Sequence, residues 1–203
     1  AITGDTDSDG KDITDRDSKK EWETAYSAIS KMDDKISYSL VRGNHDSTKM
    51  FNKTFNNEIY KKQFEGFYSE YIDTSYMLFT VCETDYLFIT LDYGASDEEL
   101  QWAAEKIKMY PNHRVIITTH GYLNYDGTTL DSKDGSYPSD LNDKNDSPDK
   151  VYNTGEDMWN KLISKHANIF MVISGHIDYC DIVSSKREGI HGNTVVELLI
   201  DPQ

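Results

Sequence analysis

Arg42-Gly43-Asn44-His45-Asp46 follows directly on the apolar run Ile36-Ser37-Tyr38-Ser39-Leu40-Val41, and together they read as a strand entering a polar turn. A turn there needs the glycine and at most the asparagine. The imidazole and the carboxylate are surplus to turn chemistry. Three other stretches repeat the arrangement: Ala1-Ile2-Thr3 before Gly4-Asp5, Val115-Ile116-Ile117-Thr118-Thr119 before His120, and Ile169-Phe170-Met171-Val172-Ile173 before Ser174-Gly175-His176-Ile177-Asp178. In open α/β sheets, sites form beyond the carboxyl ends of strands, so such residues can converge on one cleft. Carboxylate, amide oxygen and imidazole without thiolate make a set suited to Zn, Mn, Fe or Mg.

The other elements support an α/β domain with some antiparallel pairs. Trp22, Tyr26, Ile29 and Met32 recur at a helical period from Ser18 onward. Tyr76–Cys82 and Tyr86–Leu91 read as strands joined tightly enough for a hairpin through Glu83-Thr84-Asp85. A helix is expected over Asp97–Tyr110, opened by Ser96 or Asp97 and ended by Pro111. A second is expected over Gly155–His166, and a last strand over Thr194–Ile200. Residues 47–72 fit short helices and loops, and 121–153 a long polar loop. The three tryptophans fall on helical faces and read as packing residues. His113, His166 and His191 read as surface or supporting residues.

Composition narrows the function. A formal charge of −15 opposes a nucleic-acid surface, which needs Lys and Arg to meet phosphates. A small phosphorylated substrate stays compatible, because bound cations reverse a local field. No apolar run is long enough to span a bilayer. The two cysteines, Cys82 and Cys180, form no metal-type pair and read as buried thiols. Asp5-Thr6-Asp7-Ser8-Asp9-Gly10 matches the start of a calcium loop, but Arg16 stands where that loop needs a bidentate Glu. A solvated loop is the better reading.

Taken in order, Gly4-Asp5, Gly43-Asn44-His45-Asp46, Thr118-Thr119-His120-Gly121 and Gly175-His176-Ile177-Asp178 resemble the motifs of the calcineurin-like metallophosphoesterases, and Leu91-Asp92-Tyr93-Gly94 and Gly121-Tyr122-Leu123-Asn124 resemble a bacterial, often exported, branch of that family. The resemblance covers essentially the whole chain, and Gly43–Asp46 is its specific part. It implies an α/β sandwich of two mixed β-sheets flanked by helices, as one domain over residues 1–203 truncated at its N-terminus and open to truncation at its C-terminus. It implies a metal-dependent hydrolase of phosphate mono- or diesters with two divalent ions. Asp5 would bridge them, with Asn44, His120, His176 and Asp178 as further ligands. His45 would protonate the leaving alcohol, oriented by Asp46. The expected location is exported or cell-surface, with the cytoplasm as the alternative.

Three departures qualify the resemblance. The family's first Asp-x-His element has no counterpart, Ser8 stands where a second acidic residue is expected, and Asp178 replaces the final histidine of Gly-His-x-His. They predict an impaired chain holding one ion or none. They also define a rival function: a non-catalytic cell-surface or other binding module that keeps the fold with one metal or no metal.

Overall fold

The computed structural model describes residues 19–56, 58–135, 152–177 and 182–201. Asp5, the acidic loop that follows it, Asp178 and Cys180 lie outside the described residues.

Alternating apolar residues build the sheet. In β3 (Thr84–Thr90), Leu87 and Ile89 are buried while Tyr86 and Phe88 are half-buried. β4 (Arg114–Thr118) repeats the pattern with Val115 and Ile117 inward. β2 (Ser75–Val81) pairs antiparallel with β3 from Ser75↔Thr90 to Val81↔Thr84. Cys82 and Glu83 make the two-residue turn, both at positive φ (48° and 61°). Cys82 is therefore exposed, which corrects the expected buried thiol: a turn tip leaves its side chain in water.

β3, β4, β5 (Ile169–Ser174) and β7 (Thr194–Ile200) run parallel. β6 (Ile182–Glu188) closes one edge, antiparallel to β7. The two-residue β1 (Gly66–Phe67) lies beside β2 at the other edge. The result is one mixed seven-stranded sheet in the order β1-β2-β3-β4-β5-β7-β6. The expected sandwich of two sheets is thereby corrected. Two local facts account for the difference. The hairpin β2–β3 continues directly into β4, leaving no break at which a second sheet would start. Among the described residues, the run Ile36–Val41 joins no ladder; the Tyr38 and Leu40 N–H groups donate to the Gln63 Oε1 and Tyr60 hydroxyl at 3.0 and 2.9 Å.

Helices flank the sheet. α4 (Asp97–Met109) starts in a capping box, with Glu99 N–H on Ser96 Oγ and Ser96 N–H on Glu99 Oε2. Its Leu100, Ala103 and Ile107 pack into the same core as Leu87, Ile89, Val115 and Val172. α5 (Gly155–Lys161) adds Met158 and Trp159. Its N-terminus approaches so closely that a Cβ on Gly155 would lie 2.2 Å from the Tyr122 carbonyl oxygen. A second, aromatic core joins α1 (Lys19–Ile29), α2 (Thr48–Phe55) and α3 (Glu58–Lys61) through Trp22, Phe51, Phe55 and Tyr60. Edge-to-face geometry, as between Trp22 and Phe51 at 6.4 Å and 80°, suits the ring quadrupoles.

Candidate functional site

Parallel pairing of β4 and β5 brings two of the anticipated histidines together. The ladder runs past the strand ends, with Thr119 N–H on the Ile173 carbonyl at 3.1 Å and Gly175 N–H on the His120 carbonyl at 2.9 Å. The imidazoles that follow lie with centroids 4.8 Å apart, edge to face. His176 Nδ1 is 3.2 Å from His120 Nε2, and Asn44 Oδ1 is 3.0 Å from the same nitrogen. Asn44, separated from His120 by 76 residues, arrives on the Arg42–Asp46 turn.

That turn is fixed from below. Arg42 is fully buried and grips Asp92 through two bonds, Nε to Oδ1 at 2.8 Å and Nη2 to Oδ2 at 2.9 Å. Asp92 lies just past the end of β3, so the pair ties the turn to the sheet. The third guanidinium nitrogen reaches the Asp46 carbonyl at 3.3 Å. The Asp46 carboxylate accepts from Gly43 N–H at 2.9 Å. His45 is exposed on the same turn.

Close approach explains the flanking glycines. A Cβ on Gly43 would sit 3.2 Å from the His120 ring, and one on Gly121 3.3 Å from His176. Buried Tyr93 packs its ring against both imidazoles, at 5.5 and 5.4 Å. His176 holds φ at 83°, a left-handed conformation that costs an L-residue roughly 1–2 kcal/mol. Such strain is retained where surrounding contacts over-determine the position.

Electrostatics keep His120 neutral. Burial first, then the neighbouring charge of His176, pushes its imidazole well below the ordinary value of 6.5. A neutral ring keeps a lone pair for a cation or a donor. Ligand atoms on a tetrahedral ion at about 2.0–2.1 Å stand roughly 3.3 Å from one another. The 3.0 and 3.2 Å separations match two edges of that figure. The donor set fits one ion at most.

It does not fit two. Among the described residues, no group of three or more His, Cys, Asp or Glu side chains could hold a metal ion. The cluster reaches three donors only by counting the Asn44 amide.

No family model matches the chain. It is similar to the protein named "Uncharacterized protein YvnB" of Bacillus subtilis (strain 168), 27% identical over 214 residues. The match covers 99% of this chain and spans 14% of that relative's length.

These findings correct the sequence-based function. A metallophosphoesterase with a dinuclear metal centre is overturned, because the described residues hold no side-chain cluster for it and no family signature supports it. The two divalent ions go with it. The structure brings Asn44, His120 and His176 together and sets His45 and Asp46 on the adjoining turn. Arg42, Asp92 and Tyr93 support the cluster and were given no role by sequence reasoning. A buried Arg–Asp pair 50 residues apart leaves no local pattern. No helix among the described residues is long and apolar enough to cross a membrane.

Proposed function

We propose that the chain is a non-catalytic binding module, related to the calcineurin-like phosphoesterases through Gly43-Asn44-His45-Asp46, whose strand-end cluster takes no more than one divalent ion. One observation carries the reading: Asn44 Oδ1, His120 Nε2 and His176 Nδ1 meet at 3.0 and 3.2 Å, without a carboxylate among them. A two-ion phosphoesterase needs ligands on both sides of a bridging group, with ions about 3.5–4 Å apart to clamp the attacking and leaving oxygens. Two imidazoles and an amide supply one side only.

The surroundings favour holding over turnover. The Asp46 carboxylate engages the Gly43 backbone, and Arg42 engages Asp92, so both charged groups stiffen the turn. Tyr93 presses on both rings. A stiff cluster orients one ligand at little entropic cost.

The test is turnover of mono- and bis-nitrophenyl phosphate by the chain with Mn, Zn or Mg added. The expected result is no release of nitrophenol above the metal-only blank. Turnover that His120→Ala abolishes contradicts the reading.

A further inference from the structure

Away from the histidine pair, α2, the loop carrying Tyr68 and Tyr71, and the start of α4 enclose a cleft of about 740 Å³. That is within the range of small-molecule sites, about 300–1,000 Å³. Asn44, His120 and His176 are not among its lining residues, and Asp92 is the link between the two places.

The walls restrict what could bind. Tyr68 and Tyr71 are 41% and 43% exposed, enough to offer ring surface. Tyr68 is braced edge-on against Trp102 at 6.2 Å, and Tyr71 N–H bonds Ser69 Oγ at 3.1 Å, so neither is a loose loop residue. The floor is polar but mostly engaged: Asp73 accepts from Asn52 Nδ2 at 2.9 Å, and Glu99 from Thr74 Oγ1 at 2.5 Å. Asn56 Oδ1, in the wall, is buried with no partner among the described residues. A buried amide oxygen without a donor is costly to keep, and a ligand hydroxyl would supply that donor.

Charge decides between ligand classes. Lys49 and Lys53 stand on the α2 wall and Glu98 on the α4 side. In the floor, the Asp92 carboxylate is offset by the Arg42 guanidinium at 2.8 and 2.9 Å. A polyamine would meet the lysines and a phosphate the carboxylates. A neutral ligand rich in hydroxyls meets neither penalty, and its apolar ring faces suit the tyrosines. We infer that this cleft binds a neutral saccharide, stacked on Tyr68 and Tyr71 and hydrogen-bonded to Asn56. The inference does not depend on an ion at the strand-end cluster.

Saturation-transfer NMR on the full chain with cellotriose, maltotriose and N-acetylglucosamine trimer tests it, with spermidine and inorganic phosphate as charged comparisons. The expected result is transfer to at least one saccharide at about millimolar affinity, unchanged by EDTA. Tyr71→Ala and Asn56→Ala, checked for folding by circular dichroism, should each weaken it roughly tenfold or more. Absence of transfer to all three saccharides at about 10 mM overturns the proposal. So does binding that spermidine or phosphate shows instead, binding lost in EDTA, or binding that both folded variants retain in full.

Discussion

Arg42 Nε and Nη2 lie 2.8 and 2.9 Å from the two carboxylate oxygens of Asp92, a bidentate pair with the arginine fully buried. Bidentate Arg–carboxylate geometry fixes orientation as well as charge. It is what holds the Asn44 turn over the ends of β4 and β5. Removing one partner of a buried pair leaves an uncompensated charge and costs about 3–5 kcal/mol. Arg42→Met should therefore lose about that much in urea unfolding. Arg42→Met combined with Asp92→Leu should recover part of it. Equal losses in single and double variants would show that the two groups are not coupled.

The Cys82-Glu83 turn places two ordinary residues at positive φ, where two-residue hairpins prefer Asn-Gly. The left-handed region costs an L-residue roughly 1–2 kcal/mol, with Gly and Asn the tolerated exceptions. Replacing Cys82 by Asn and Glu83 by Gly together should raise the unfolding free energy by about 1–2 kcal/mol. A lower midpoint in thermal unfolding would contradict the assigned turn.

The same logic at His176 separates backbone from side chain. At φ 83°, glycine is free of the penalty that alanine bears. His176→Gly should be more stable than His176→Ala by about 1 kcal/mol, while both lose the imidazole. Equal stability would mean the strained conformation is not retained in solution.

Asp73 gives the fold a pH dependence. Its carboxyl, pushed from 3.8 to about 6 by burial and by the charge of Asp92, ionises less readily in the folded chain than in the unfolded one. The unfolded state therefore binds fewer protons in that interval, and stability falls as pH rises through it. Below about 4 the contribution is fully present; above about 6 it is lost. Asp73→Asn should flatten stability against pH over that interval in denaturant titrations. An unchanged slope would place the titration on another group.

Much of the architecture was legible because the signals were local. The apolar alternation of Thr84–Thr90, the Ser96 cap with Glu99, and the stop at Pro111 each carry their reason within a few residues. Ile36–Val41 misled because Tyr38 and Leu40 pack on the aromatic core, and their N–H groups donate to the side chains of Gln63 and Tyr60. β6 went unread because an edge strand is half solvated and its sequence, Ile-Val-Ser-Ser-Lys-Arg-Glu, carries polar residues where a core strand would not. At the site, strand-end histidines were readable from pattern, and their meeting follows from parallel pairing of β4 with β5. The number of ions was not readable, because it depends on which donors share one point in space.

The capacity of the strand-end cluster is tested most directly by the metal content of the chain after equilibrium dialysis against Mn or Zn, read by mass spectrometry. At most one ion per chain is expected, lost in His120→Ala. Two tightly held ions per chain would contradict it.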